Sequence, residues 1–299
     1  MILVTGGTGF VGKYLIRHLI ESGMPVRTLI RPSGKTPDLP KGVSIDIAVS
    51  SLKDEKGLES AMKGIEYIIH LASDERKGLR ADLAGVDIEG TAVLARVAAK
   101  SKVKRMVFLS HLGADRMSAF TLLKAKAIAE NHIINSGLAY TIFRSAIIFG
   151  PQDQFTIPLT RAMKMTPFLI PIPGEGNMHL QPIWIEDLIA CLVWAIKGNV
   201  PEDESNIFNI GGPEFIDLKT VVQTLKQVTG IRKGILSIPP AYIRLLIIWL
   251  NQTFPGFPIS AFFMDYLAAD RTCALDTLPR TFGIIPEQFH NQLFYIEPK

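Results

Sequence analysis

The chain has 299 residues, 47% of them hydrophobic and 20% charged, with a formal net charge of +4. That length fits one large domain, or a nucleotide-binding core with a smaller appended lobe, and the interleaved charges exclude nucleic acid as an expected partner. Cys191 and Cys273 lie far apart with no metal-ligand spacing, so no metal site is expected, and two reduced thiols point to a cytoplasmic setting.

Met1-Ile2-Leu3-Val4-Thr5 predicts a buried strand that begins with the chain, leaving no room for a signal peptide. Gly6-Gly7-Thr8-Gly9-Phe10-Val11-Gly12 follows at once, and Tyr14, Leu15, His18 and Leu19 recur at helical spacing. Strand, glycine turn and helix in that order form the phosphate-binding corner of a dinucleotide fold. Gly6 would take the tight turn, Gly9 would let the backbone approach a pyrophosphate, and Gly12 would let the helix pack closely. The helix N-terminus offers free N–H groups and a positive dipole end to phosphates.

Further strands are expected at residues 26–30, 43–49, 66–71, 105–110 and 139–144, with helices at 55–63, 82–101 and 119–136. This alternation predicts an α/β fold with a doubly wound parallel sheet over residues 1–150. After Pro151 the texture changes, and prolines and glycines cluster between Pro167 and Gly176, which reads as a turn-rich stretch. A strand near 181–185, a helix at 187–197, a strand at 206–210 and a helix at 217–229 are expected beyond it. Residues 151–299 read as a smaller mixed lobe, interleaved with the core, which would receive a small-molecule substrate or a partner. Residues 243–250 are apolar apart from Arg244, and 254–263 add aromatic side chains. The run is shorter than the ~20 residues needed to span a bilayer. Residues 243–263 are therefore either a buried lobe helix or a surface for a membrane complex or protein partner. The second case would place the chain at a membrane periphery.

The residue ending the second strand selects the dinucleotide. A carboxylate there would hold a ribose 2′-hydroxyl and suit NAD(H). This chain has Arg31, with Lys35 close by, and no acid occurs between Gly23 and Thr36. A guanidinium binds a 2′-phosphate bidentately, so NADP(H) is expected over NAD(H), with Arg27 a further contributor if the strand twists toward the site.

Thr5-Gly6-Gly7-Thr8-Gly9-Phe10-Val11-Gly12 resembles the fingerprint of the short-chain dehydrogenase/reductase superfamily, in its extended or atypical branch. Ser136-Gly137-Leu138, Gln181-Pro182-Ile183-Trp184-Ile185-Glu186-Asp187 and Asn209-Ile210-Gly211-Gly212-Pro213 carry the resemblance across the chain. It implies a dinucleotide held by Gly6, Thr8, Gly9, Phe10, Val11 and Gly12. Leu71, Ala72 and Ser73 would lie against the adenine ribose and pyrophosphate. Ser110 stands where the family carries its active-site Ser or Thr, and Ser145 and Ile147 lie on the segment that runs near the nicotinamide. An Asp often found after strand three is replaced here by Val49-Ser50-Ser51.

Family chemistry needs a Tyr acid/base four residues before a Lys. If that Lys is Lys126, the preferred register, the Tyr position holds Leu122; if it is Lys124, it holds Phe120. No Tyr occurs between Tyr67 and Tyr140, so the catalytic set is a remnant of Ser110 and Lys126. His111, Asp115, His179 and Tyr14 are the candidate replacements. The chain is thus similar to atypical members without the Tyr: the accessory-subunit family of mitochondrial complex I with its bacterial relatives, and the photosystem-assembly proteins. That likeness implies a dinucleotide-binding scaffold or sensor with weak or no turnover. The alternative is an NADPH-dependent reductase or epimerase/dehydratase with another proton donor, because isoflavone-reductase-like members keep a Lys without the Tyr and still reduce substrates. A regulator resembling the nitrogen-metabolite-repression family follows the same logic.

Overall fold

The computed structural model describes residues 1–34, 36–197, 206–254 and 256–296. In chain order the elements are β1 (Ile2–Thr5), α1 (Phe10–Glu21), β2 (Val26–Ile30), β3 (Asp46–Val49), α2 (Glu55–Ala61), β4 (Tyr67–His70), α3 (Gly90–Lys100), β5 (Arg105–His111), α4 (Thr121–Ile134) and β6 (Tyr140–Ser145). Then come β7 (Ile148–Phe149), α5 (Thr156–Met165), β8 (Leu169–Pro173), β9 (His179–Leu180), β10 (Ile183–Trp184), α6 (Ile185–Trp194) and β11 (Asn206–Ile210). The last are β12 (Ile216–Asp217), α7 (Leu218–Thr229), β13 (Gly234–Ile238), α8 (Pro240–Thr253) and α9 (Ala261–Tyr266).

One seven-stranded sheet has the order β11-β6-β5-β4-β1-β2-β3. The pairs from β6 through to β3 are parallel. The expected α/β doubly wound sheet is therefore present. β1 is buried along its whole length, which is why it reads as a continuous apolar run rather than an alternating one. The strand order reverses beside β1, and in such sheets ligands bind beyond the carboxyl ends of the strands at that point. Thr5, Leu29 and His70 stand level there.

Two compact units are distinguished. The first comprises Met1–Glu75, Asp82–Ser145 and Ile185–Asn209. Its core packs Leu3, Ile68, Met106 and Phe108 of the sheet against Leu94, Val97, Ala129 and Ile133 of α3 and α4. The second comprises Arg76–Ala81, Ala146–Trp184 and Ile210–Lys299. Among its described residues are three two-stranded sheets, with β10 on β7, β12 on β9 and β13 on β8.

Two differences from expectation have local causes. The helix expected at 82–101 is a wide π-type turn over Leu83–Glu89 followed by α3. Asp82 accepts from the Gly85 N–H, and its carboxylate fills the space a Gly85 side chain would need, so the chain coils wide before α3 begins. Residues 167–176 read as a turn-rich stretch, yet β8 forms there. Pro171 and Pro173 alternate along it, so both missing N–H groups fall on one edge of a two-stranded sheet, where proline is tolerated.

His70 pins the first unit together. Its Nδ1 lies 2.6 Å from Thr5 Oγ1 and its Nε2 2.8 Å from Thr91 Oγ1, while its ring stacks on Phe108. Burial, helped by the nearby Lys126 charge, pushes its pKa down from 6.5 to about 3. The unfolded chain therefore takes up this proton near pH 6.5, and the folded chain refuses it down to about pH 3. Stability present above pH 6.5 should be lost progressively as pH falls, by ~1.4 kcal/mol per pH unit. Urea titrations at pH 7 and pH 5 should show a loss about 2 kcal/mol smaller in His70→Gln than in the natural chain.

Candidate functional site

The glycine corner is built by exclusion of side chains. Gly6 has φ +73°, and a Cβ there would stand 2.7 Å from the Leu71 carbonyl and the Ala72 nitrogen. Thr5 holds that pair in place, its carbonyl accepting from Leu71 N–H at 3.2 Å and its Oγ1 from Ala72 N–H at 3.4 Å. The predicted Leu71 and Ala72 are thereby brought to the corner. A Cβ on Gly12 would collide with the Gly6 carbonyl at 2.3 Å. Gly7, unassigned from sequence, leaves room for Thr28 and Ile16, whose atoms a Cβ would meet at 2.3 and 2.7 Å. Among the described residues, chain neighbours aside, a Cβ on Gly9 would meet only the Gly6 oxygen, at 3.2 Å, so its outer side is open to them.

Gly9 is also the N-cap of α1. It supplies no side-chain cap, no acid lies in the first turn, and the first helical bond runs from Lys13 N–H to the Gly9 carbonyl. The N–H groups of Phe10, Val11 and Gly12 therefore belong to the turn that has no upstream carbonyl. Thr8 is exposed, and Phe10 meets Tyr14 edge-on. An open, uncapped cradle of backbone N–H groups fits a pyrophosphate.

Arg31 follows β2 directly, is exposed, and has no hydrogen bond or ion pair among the described residues. Lys35 lies outside them. Arg27 does not reach this end of the sheet. It sits near the start of β2, where its guanidinium binds Asp46 and the carbonyls of Ala61 and Lys63. Ser50, in place of the family Asp, is buried, and its N–H bonds the Ile30 carbonyl. Ser73 Oγ accepts from Glu75 N–H.

On α4 and the strands beside it, polar side chains are locked to one another. Ser110 Oγ donates to Glu130 Oε1 at 2.5 Å. Arg144, level with Ser110 on the next strand, grips the same carboxylate bidentately, with Nη2 2.6 Å from Oε2. Glu130 gives Ser110 the carboxylate that sequence reasoning did not find. Its signal was only a carboxylate four residues after Lys126, one helical turn along the same face. Lys126 Nζ lies 3.1 Å from Asp87 Oδ1, with the two side chains 4% and 1% exposed. Burial opposes the ammonium, but Asp87, Glu75 and Glu130 outweigh it and hold the Lys126 pKa above its ordinary value. Asp87 also accepts from Asp74 N–H.

Neither candidate position for the family phenol carries a proton. Phe120 is the N-cap of α4, and Leu122 lies in its first turn. Of the replacement donors, His111 ends β5 and pairs with Glu75 at 2.8 Å. Asp115 accepts from Met117 N–H. His179 belongs to the second unit and pairs with Asp270. Ser145 closes β6, its carbonyl bonded by Leu112 N–H. Ile147 lies in the second unit, where its carbonyl accepts from Ile183 N–H.

Residues 6–159, just over half the chain, match the family model described as NAD(P)H-binding. The chain is 28% identical over 253 residues to subunit 9 of the NADH dehydrogenase [ubiquinone] 1 alpha subcomplex of Arabidopsis thaliana, covering 81% of this chain and 59% of that protein. It therefore spans less than two thirds of the plant subunit. It is 25% identical over 255 residues to a photosystem II assembly factor of Cyanophora paradoxa, covering 82% of this chain and 73% of that one. Among solved structures it resembles a UDP-glucose 4-epimerase of Thermotoga maritima, with TM-score 0.62 and 26% identity over 80% of this chain and 85% of that one.

The Glu130 cluster makes a non-additive prediction. Arg144→Met leaves a carboxylate that is almost fully buried without its cation, and should cost about 2–4 kcal/mol in denaturant unfolding. Adding Glu130→Gln removes the stranded charge and should recover at least about 1 kcal/mol, a sign that simple additivity forbids.

Proposed function

We propose, because this chain belongs to the NAD(P)H-binding family, that it is a dinucleotide-binding scaffold or sensor with weak or no turnover. It is an atypical member of the short-chain dehydrogenase/reductase superfamily. The observation that carries the reading is the state of the would-be catalytic groups. Ser110 and Lys126 are both buried and committed to Glu130 and Asp87, and carbon stands at both candidate phenol positions. The two relatives agree in kind: one is named as a subunit of a larger enzyme, the other as an assembly factor.

The residues divide the binding task. The α1 N-terminus and the open side of Gly9 receive the pyrophosphate, with Leu71 and Ala72 fixing the floor of the corner. Arg31 receives a 2′-phosphate, which makes NADP(H) the favoured ligand. The bound nicotinamide would supply hydride chemistry. A carbonyl reduction also needs a proton at the substrate oxygen, and losing a positioned acid costs ~10²–10⁴-fold in rate.

A second reading, an NADPH-dependent reductase or epimerase/dehydratase acting on a small molecule, rests on the His111–Glu75 pair. An imidazole oriented by a carboxylate directly after Ser110 is a reasonable proton donor.

Calorimetric titration tests the corner and the selectivity together. Gly9→Val should abolish dinucleotide binding while leaving a folded protein. Arg31→Ala should weaken NADPH binding about tenfold to a hundredfold and leave NADH binding nearly unchanged. Equal loss of both would remove Arg31 from the site.

Single-turnover oxidation of NADPH across a panel of carbonyl compounds separates the two readings. The scaffold reading expects slow or undetectable oxidation that Leu122→Tyr accelerates. Fast oxidation abolished by His111→Gln would establish the second.

A further inference from the structure

The second unit carries an apolar face that its own packing leaves open. On α8, Tyr242, Leu245, Leu246 and Trp249 recur at helical spacing. Tyr242, Leu245 and Trp249 are more than half exposed, as is Phe254 at the helix end. The opposite side is anchored, with Ile243 and Ile247 buried and α8 packed on β8 and α9. Soluble monomers rarely leave so many large apolar side chains together in water.

The charges beside the face are few: Arg244 is paired with Asp265, and Lys233 is bonded to the Met163, Lys164 and Thr166 carbonyls. From Ile231 to Met264 the sequence contains Arg232, Lys233 and Arg244 and no acid. At the C-terminal end of α8, Lys77, Leu79 and Arg80 join Asn251 and Gln252 in lining a cavity of about 310 Å³. Gly78 makes this approach close, since a Cβ there would lie 3.5 Å from Ser260 Cβ and 3.8 Å from Asn251 Oδ1. Asn251 spends its amide hydrogens on the Ile247 and Ile259 carbonyls, so the lining groups suited to a phosphate oxyanion are the Arg80 guanidinium and the Gln252 amide, with Lys77 beside them.

α8 has 14 residues, about 21 Å of helix, and no helix among the described residues is long and apolar enough to cross a membrane. A short helix with aliphatic and Trp/Tyr side chains on one face and cations at its flank has the composition of one lying in a bilayer interface.

We propose that α8 and the Lys77–Arg80 segment form a docking surface for a membrane rich in anionic phospholipid. Leu245, Leu246 and Trp249 enter the acyl boundary, and the cavity beside Asn251 receives a lipid phosphate. This inference goes beyond the dinucleotide reading and does not depend on it.

Flotation of the full chain with vesicles tests it. The natural chain should float with vesicles of phosphatidylcholine mixed with phosphatidylglycerol and only weakly with phosphatidylcholine alone, and added salt should release it. Leu245→Gln combined with Trp249→Gln should weaken binding at least about tenfold. Arg80→Gln should weaken it roughly fivefold and flatten the salt dependence. Dinucleotide affinity, measured in parallel, should be unchanged in both variants, which shows that they fold and keeps failure here distinct from failure of the glycine corner. Three results would overturn the proposal: no flotation with either vesicle, flotation indifferent to the Leu245/Trp249 pair, or light scattering showing a dimer that this pair of changes splits.

Discussion

At Gly6 three elements meet with no room for a side chain. Its own Cβ would strike the Leu71–Ala72 backbone, and its carbonyl stands where a Cβ on Gly12 would have to be. The same carbonyl accepts from Gly9 N–H at 2.9 Å. β1, β4 and the start of α1 are therefore brought together through one positive-φ residue that only glycine occupies without strain. Everything attributed to the phosphate-binding corner follows from that contact. It aims the first turn of α1 outward and leaves the outside of Gly9 bare.

A few steps along the sheet the same superfamily pattern has been filled with buried charge. Lys126 and Asp87 form an ion pair almost without solvent, and Glu130 is shared between Ser110 and Arg144. In a dry interior such groups are strong only while every partner is present. His70, neutral between two threonines, fits the same regime, because burial and then the nearby Lys126 charge both oppose its imidazolium. A proton shuttle needs a group that gains and loses its proton readily near neutral pH. Lys126, held above its ordinary pKa, and His70, held below its own, keep their states instead.

The parts of the fold legible in the sequence are those decided locally. β2 falls at residues 26–30 and β11 at 206–210, as the apolar runs and their bounding turn residues suggest. The glycine corner was legible because each glycine answers a steric demand a few residues away. Glu130 and Asp87 were not, because each sits on a helical stretch whose pattern also suits a solvated face, and only the packing of α4 on β5 and of the 83–89 turn on α4 and α3 buries them. Arg27 shows the converse. Its type suggested the ligand, but its position in β2 puts it at the wrong end of the sheet. β8 was hidden by its prolines, which ordinarily argue against a strand.

The route of the chain through the first unit has a consequence for its synthesis. α1 is made first, but the helix that packs on it, α6, lies beyond residue 184. At about 5–20 residues per second the ribosome needs many seconds to travel between them. During that interval the side of α1 destined for α6 is bare, and closure awaits a contact of very large sequence separation, which slows folding. The nascent chain is thus a natural client for chaperones that shield apolar surface until the missing helix emerges.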